Sequence, residues 1–538
     1  MQPEIIQKYN RPVPRYTSYP PANYFGEFSE TDYLCAVNAS DSARQNQISF
    51  YLHIPFCRHL CHYCGCNSYP AAKPETVEAY VGALHREIDL VARHIDNSRQ
   101  ISQIHYGGGS PTSIPIPMLK ELNDHLLSIA PTIASPEIAI ECHPGYLSEH
   151  DWQQLTACGF TRYSIGIQDM KEEVLKAVNR RPSLLPLQEI LQILRASGAT
   201  VNFDFIYGLP LQSVDSFRKT IEQASALRPD RLVTFSYAHL PKLFPRQQIL
   251  DRMGLPATEE KNRMYETASE ILRQAGYQSI GLDHFVLPDD ELYTALQTGR
   301  LHRNFQGYCT RRTTAQVYAF GVTAISQLDD AYAQNGREIK AYIETIGKDR
   351  LYTSRGYQLS AEQKLIREVV ETLMCNYTLD WNDVAERTGI SQHTLRFYDK
   401  EGLLPFVKKS QSGTRLFSEE DFESLYTITC LKKSGMSIKQ IQSFMALYAR
   451  GPETLKARQD MFEAQREKVL AQMEELKEML DVIDYKCWYF KEAQRVGDPE
   501  FYKKLPPEKQ PAQLKEFYER VRDFRSGSAA VSHPNSNE

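Results

Sequence analysis

From about residue 48 to residue 330, short runs rich in β-branched and aromatic residues alternate with amphipathic helical stretches. ISFYLHIPF, SQIHYGG, EIAIEC, RYSIGIQ, TVNFDFIYG and RLVTFSYAHL read as strands, and Val77–His94 and Ser183–Ser197 are among the helices between them. Parallel neighbours need a crossover long enough to hold a helix, so this alternation predicts a parallel sheet or barrel with helices outside. Loops that carry chemistry then gather at the C-terminal ends of the strands.

The alternation stops near residue 357. From Leu359 to about Ala493 the signals are helical, apart from a patch around Lys408–Phe417. A long helix is expected from about Thr454 to Tyr489. There Phe462, Val469, Leu476 and Ile483 recur every seventh residue, with Met473, Leu480 and Cys487 at the second seam position and charged residues between. That heptad predicts a dimerising coiled coil, against the alternative of a helix packed on its own domain. The tail after about Arg525, SGSAAVSHPNSNE, has the composition of a disordered segment.

The formal net charge of -5 gives no global attraction to nucleic acid, though a local basic patch stays open. No apolar run reaches the length of a membrane span, and MQPEIIQKYNRP lacks the core of a signal peptide. The expectation is a cytoplasmic protein without a membrane partner. In that compartment thiols stay reduced, so the eleven cysteines read as ligands, reactive thiols or core residues rather than disulfides.

Four of those cysteines fall within ten residues, in HIPFCRHLCHYCGCNSY, directly after the first strand. Cys57, Cys61 and Cys64 have C-x3-C-x2-C spacing, which lets one tight loop deliver three thiolates to a [4Fe–4S] cluster. Three ligands leave one iron open, as in radical-SAM sites, where it takes the amino and carboxylate groups of S-adenosylmethionine. The alternatives are a zinc loop, with Cys66 or His62 as fourth ligand, or clustered core cysteines. One βα unit later, His105-Tyr106-Gly107-Gly108-Gly109-Ser110-Pro111-Thr112 puts three glycines after a strand, where backbone can approach a ligand closely. Glu141, Gln168, Arg180 and Asp204 stand at or after later strand ends. Each alone reads as a satisfied polar residue; together on one barrel face they suit a polar, charged cofactor.

These stretches, with IIQKYNRPVPRYTSYPPA, SIGIQD, NFDFIYGLP, SYAHLP, GLDHF and LHRNFQGY, resemble the oxygen-independent coproporphyrinogen III oxidase family, also called coproporphyrinogen dehydrogenase. The resemblance covers about residues 5–380. PRYTSYP and the C-x-C ending at Cys66 set this group apart from its heme-chaperone-like relatives. It implies oxidative decarboxylation of two propionates to vinyl groups, with a cluster and one or two molecules of S-adenosylmethionine. It implies Cys57, Cys61 and Cys64 as cluster ligands, with Cys66 left out of the metal set. Tyr51, Gly108, Ser110, Glu141, Gln168, Arg180 and Asp204 match positions that contact S-adenosylmethionine. Ser110 stands where the family often has Thr, which keeps the hydroxyl. Phe305, Gln306 and Ile325 match a second S-adenosylmethionine site, and Arg15 a residue thought to meet a substrate propionate, as a bidentate guanidinium–carboxylate pair would.

After ETLMCNYTLDW the chain resembles a MerR-type regulator. WNDVAERTGISQHTLRFYDKEGLLP has helix-turn-helix spacing: Asp383-Val384-Ala385 opens a helix, Thr388-Gly389-Ile390 turns, and Ser391 caps the second helix. SGTRLFSEEDF resembles the wing, CLKKSGMSIKQIQSF the next helix pair, and the heptad helix the dimerisation helix. The resemblance implies DNA contacts from Ser391, Thr394, Arg396, Tyr398, Lys400 and Arg415. Cys430 stands where thiol-sensing members carry a cysteine; burial in the core is the expectation for it and for Cys487, against a sensor role. Cysteines 35, 142, 158, 309 and 375 read as core or surface thiols.

The expected fold is an α/β radical-SAM partial (β/α) barrel, followed by an all-α winged helix-turn-helix domain with a long coiled-coil helix. The expected segments are 1–47, an N-terminal substrate-binding arm; 48–356, the barrel; 357–376, a linker helix; 377–450, the winged helix-turn-helix; 454–490, the dimerisation helix; and 491–538, a short helix and disordered tail. The leading functional reading is a porphyrinogen decarboxylase in heme biosynthesis with an appended DNA-binding, homodimeric domain. The alternatives are a MerR-type transcription regulator whose barrel senses a tetrapyrrole, S-adenosylmethionine or iron–sulfur status, and a radical-SAM enzyme for another tetrapyrrole. The sequence names neither the electron donor nor the acceptor.

Overall fold

A computed structural model describes residues 19–42, 46–70, 72–310, 313, 315–376, 388, 390–409, 415–417, 419–501 and 515. The chain divides into two compact units, Met1–Leu379 and Asp380–Glu538.

The first unit is built on one sheet. Its parallel strands are β1 (Gln47–Ile54), β2 (Gln100–Gly108), β3 (Thr132–Cys142), β4 (Arg162–Gln168), β5 (Thr200–Tyr207) and β6 (Arg231–Ser236). They lie side by side in sequence order, so each crossover moves one place in the same direction. A right-handed crossover repeated in this way stacks all the helices on one face and curves the sheet into part of a barrel. The sheet stays open. Past β6 it adds the antiparallel pair β7 (Gln278–Ile280) and β8 (His284–Val286). Past β1 it continues through β9 (Val317–Phe320), parallel to β1, and then antiparallel β10 (Ile325–Gln327), β11 (Ala331–Asn335) and β12 (Thr353–Gln358). The six parallel strands match the sequence expectation. The extensions on both sides were not anticipated, because strands of three to six residues carry too few positions to show a period.

Strand alternation decides what each face does. Along β1, Ile48, Phe50, Leu52 and Ile54 are fully buried and belong to the apolar core beneath the helices. The residues between them, Ser49, Tyr51 and His53, are polar. The same split gives Ile104 and Tyr106 against His105 on β2, Ile138 and Ile140 against Glu137 and Glu141 on β3, and Val201 and Phe203 against Asn202 and Asp204 on β5. The inward side chains pair with one another: Gln103 with Glu137, His105 with Glu141, and Ser164 and Asn202 with Asp204.

A hairpin, His302–Asn304 with Gly307–Cys309, reaches the inward-facing side chains. Asn304 Nδ2 donates to Gln103 Oε1 at 3.0 Å, while its Oδ1 accepts from the backbone of Gln306 and Gly307, which fixes the turn holding Phe305 and Gln306. Helix Ala361–Asn376, expected as a linker, is instead part of this unit. Arg367 donates to the carbonyls of Leu328 and Asp329, Lys364 pairs with Asp329, and Tyr308 donates to the Met374 carbonyl.

In the second unit, helix Gln392–Lys400 is followed by a two-stranded antiparallel pair, Lys408–Lys409 with Arg415–Leu416. This small sheet occupies the patch read as a wing, so the unit is not wholly helical. Helices Glu419–Lys433 and Ile438–Arg450 lead into the long helix Leu455–Val496, which runs past the expected end at Tyr489. No helix among the described residues is long and apolar enough to cross a membrane. Asp383, Val384 and Ala385 and the tail after Arg525 lie outside the described residues.

Candidate active site and DNA-binding face

The cysteine loop leaves the C-terminal end of β1 and is held from two sides. Asn179 Nδ2 donates to the Leu60 carbonyl at 2.9 Å, and the His62 N–H donates to the Val178 carbonyl at 3.0 Å. Cys57 and Cys64 are half-buried and Cys61 is buried. Burial, with Cys64 and Cys61 beside it, pushes the Cys57 thiol up to about 12. The Cys64 thiol moves down, because the Cys66 thiol and backbone N–H both donate to it. Among the described residues no three His, Cys, Asp or Glu side chains converge as they would on a single ion. A cubane cluster asks for a different spacing, since each thiolate meets its own iron.

The three cysteines line a cavity of about 180 Å3 together with Gly108, Gly109, Ser110, Glu141, Gln168, Arg180 and Asp204. The glycines are there for clearance. Gly108 has φ +109°, and a Cβ on it would lie 2.6 Å from the His53 ring; a Cβ on Gly109 would lie 2.8 Å from the Phe56 carbonyl. Gln168 is a non-glycine residue at φ 72°, beside a register shift between β4 and β5. Bulges and left-handed residues of this kind recur at binding rims. Its Oε1 is buried without a partner. Arg180 is buried: it donates to Cys61 Sγ at 3.6 Å, to Tyr63 Oη at 3.1 Å and to the Gly166 carbonyl. Burial raises the Asp204 carboxyl, opposed by hydrogen bonds from Ser164 and Asn202.

Three thiols, a glycine cradle, an unpartnered amide oxygen, a guanidinium and two carboxylates in one small cavity fit a cluster with a zwitterionic, hydroxyl-bearing cofactor.

A second, larger cavity of about 830 Å3 shares Gly108, Glu141, Cys66 and Ser68 with the first. Tyr51, His53, His105, Phe305, Gln306 and Ile325 line it, as do Arg246, Arg337 and Arg355. Arg246 Nη1 and Gln306 Oε1 are buried without partners. His53 Nε2 donates to the Asn67 carbonyl at 3.1 Å, so Nδ1 is left to accept from Tyr51 Oη at 3.2 Å. Burial lowers the affinity of His53 for a second proton. His53, His105 and the three arginines were missed in the sequence. The histidines were legible in principle, as polar residues two positions apart from Tyr51 or Gly107 on otherwise apolar strands. Arg15 lies outside the described residues.

In the second unit, Ser391 caps the recognition helix: its Oγ accepts from the Thr394 N–H at 3.2 Å and lies 2.9 Å from Thr394 Oγ1. Arg396 and Lys400 are exposed. Tyr398 departs from the expected set of DNA contacts. Three residues after buried Leu395, it shares the inner helix face and is only 2% exposed, with Lys432 Nζ 5.6 Å from its ring centroid. Arg415 belongs to the wing pair, but its side chain lies outside the described residues. Cys430 and Cys487 are exposed rather than buried as expected; Cys142, Cys158, Cys309 and Cys375 are buried and Cys35 is exposed.

Comparison with known proteins agrees with this division. Residues 51–224 match the family model of the radical SAM superfamily, residues 380–447 that of MerR HTH family regulatory proteins, and residues 422–485 that described as MerR, DNA binding. The oxygen-independent coproporphyrinogen III oxidase of Helicobacter pylori is 35% identical over 84% of this chain and 97% of its own length. That of Escherichia coli is 39% identical over 75% of this chain and 88% of its own. The solved coproporphyrinogen III oxidase of Escherichia coli, described as a radical SAM enzyme, superposes with a TM-score of 0.66 at 35% identity, covering 77% of this chain and 95% of that one. Similarity along that whole length does not favour a barrel kept only as a sensor. The radical-SAM assignment carries with it S-adenosylmethionine and a [4Fe–4S] cluster. The chain therefore belongs to the oxygen-independent coproporphyrinogen III oxidase family of radical SAM proteins, extended by a C-terminal MerR-type helix-turn-helix unit.

Proposed function

We propose that this chain decarboxylates two propionates of coproporphyrinogen III to vinyl groups, giving protoporphyrinogen IX, and that its C-terminal unit binds DNA as a homodimer. The observation that carries the enzymatic reading is the pair of adjoining cavities, one lined by cysteines and one by arginines, meeting at Gly108 and Glu141. When bound, the cluster and S-adenosylmethionine supply hydrogen-atom abstraction from the propionate β-carbon. This chain's residues supply position. Cys57, Cys61 and Cys64 hold the cluster. Tyr51, Gly108, Ser110, Glu141, Gln168, Arg180 and Asp204 hold S-adenosylmethionine. Phe305, Gln306 and Ile325 offer room for a second copy in the larger cavity. Arg246, Arg337 and Arg355 suit the carboxylates of a tetrapyrrole with four propionates, and Arg15 would add a fourth guanidinium from the N-terminal arm.

Anaerobic reconstitution followed by product analysis tests this. The expected products are CO2 and protoporphyrinogen IX; cleavage of S-adenosylmethionine without either would overturn the substrate assignment.

The dimer reading rests on the long helix. Phe462, Met473, Leu476, Leu480 and Ile483 are all exposed on it, an apolar heptad seam that water covers in a single copy. Sedimentation should give a dimer for the whole chain and a monomer for Leu476→Glu/Leu480→Glu. A monomeric unaltered chain would overturn it.

A further inference from the structure

The outer side of the cysteine loop gathers positive charge that, among the described residues, no carboxylate neutralises. Arg58 directly follows Cys57, and Arg181 directly follows Arg180, the donor to Cys61. Their Cζ atoms lie 5.3 and 5.4 Å from the centroid of the same ring, that of Tyr146. Both are exposed, and among the described residues neither has a carboxylate partner. Tyr146 is half-buried; its Oη lies 2.7 Å from His59 Nδ1, and the two rings stack with an interplanar angle of 3°. The His143 ring packs against Tyr146 at 4.8 Å. Beside them Leu184 is 49% exposed, its N–H donating to the Pro144 carbonyl at 3.1 Å.

An aromatic centre, one exposed leucine and two unpaired arginines make a small surface with the composition of an interface core. Two like charges brought to one ring repel each other, and an acidic surface laid over them relieves that repulsion. The position tells what such a partner does. His59 and His143 touch Tyr146 on the outside and line the cysteine cavity on the inside. The hydrogen bonds that the Leu60 carbonyl accepts from Asn179 and the His62 N–H donates to Val178 tie the loop to residues 178 and 179, which directly precede Arg180 and Arg181. The cavity side is committed to cofactor and substrate, which leaves the outer side for electron entry.

We propose that Arg58, His59, Tyr146, Arg181 and Leu184 form the docking surface for a small, acidic, one-electron carrier protein of the flavodoxin or ferredoxin type. The reduced carrier loses one electron and the bound cluster gains it; no atom or proton is transferred. This rests on the radical-SAM reading above.

The test uses the full chain with reconstituted cluster and a reduced acidic flavodoxin as probe. Calorimetry gives the Kd, and stopped-flow bleaching of the visible cluster band gives the reduction rate. Arg58→Glu/Arg181→Glu should weaken binding and slow reduction by about tenfold or more and flatten the dependence on salt, with Arg58→Gln/Arg181→Gln in between. Cleavage of S-adenosylmethionine driven by dithionite should stay at the unaltered rate, which shows the fold and cluster intact. An unchanged Kd for flavodoxin in the charge-reversed variant overturns the proposal. So does intact carrier binding accompanied by lost DNA affinity, which would make the patch a phosphate contact. Failure of dithionite to drive cleavage in the unaltered chain would instead overturn the radical-SAM reading, and the calorimetric Kd would still decide the surface.

Discussion

Arg180 donates to Cys61 Sγ at 3.6 Å, which places the buried guanidinium against a thiol read as a cluster ligand. The same side chain also holds Tyr63 Oη and the Gly166 carbonyl, and a Cβ on Gly166 would lie 2.8 Å from Arg180 Nη2. The guanidinium fork is thus fixed by its own neighbours before any cofactor arrives.

Removing that fork should leave the cluster and weaken what binds beside it. Arg180→Lys cannot reproduce the planar set of contacts, and weaker binding of S-adenosylmethionine is expected, read by calorimetry. Iron and sulfide content should stay near the unaltered level. Cys61→Ala should instead abolish cluster assembly, and full activity in that variant would remove Cys61 from the ligand set.

Gly108→Ala tests the glycine cradle. At φ +109° an alanine is strained, and its Cβ would lie 2.6 Å from the His53 imidazole. The strain alone is worth on the order of 1–3 kcal/mol. Thermal unfolding should fall accordingly, and calorimetric binding of S-adenosylmethionine should be lost. Gly82→Ala, which meets nothing within 4 Å, is the control.

Glu87 gives a pH dependence. It is buried, and accepts hydrogen bonds from Tyr342, from the Gly321 N–H and from Asn335, which lines the larger cavity. Burial raises its carboxyl to about 7, against those hydrogen bonds. The folded chain therefore holds a proton that the unfolded chain releases near 4.5, so this group's contribution to stability falls as pH rises from about 4.5 to 7. The span corresponds to about 3 kcal/mol. Other groups titrate in the same range, so the informative quantity is the difference between the unaltered chain and Glu87→Gln. That difference should shift against the unaltered chain across this window and be flat above it, read from denaturant melts at a series of pH values.

Two neighbours on the recognition helix should behave oppositely. Arg396→Ala should weaken DNA binding and reduce the slope of log affinity against log salt by about 1 if it meets a phosphate. Tyr398→Ala should cost about 3–5 kcal/mol of stability in the second unit, as large aromatic truncations in a core do. Anisotropy titrations and melts of the full chain separate the two. Equal melting curves for both variants would contradict the burial of Tyr398.

Much of this was legible because polar residues interrupt apolar strands at regular places. Tyr51, Glu141 and Asp204 sit on the inward side of the pleat, where His53 and His105, not picked out in the sequence, follow the same alternation, and the cysteine spacing marks its loop without help from tertiary structure. What stayed hidden depends on contacts between distant segments. The antiparallel strands after residue 278 are too short to show alternation. The helix Ala361–Asn376 looks like a connector until Arg367 is seen to satisfy the carbonyls of Leu328 and Asp329. Tyr398 reads as one more polar tip in a basic helix, and only its position three residues after Leu395 turns it inward. Arg246, Arg337 and Arg355 come from three separate segments, and no local pattern connects them.

The pairing of β9 with β1 has a consequence for how the chain is made. Every other parallel strand of the barrel lies beside the one synthesised just before it, whereas one edge of β1 is completed by Val317–Phe320. At about 5–20 residues per second, translation leaves that edge unpaired for on the order of tens of seconds after β1 has emerged from the ribosome. The strand that leads into the cysteine loop is therefore the most exposed template for mispairing in the nascent chain. A truncated product ending before residue 317 would keep all three cysteines and lack the strand that secures the one before them.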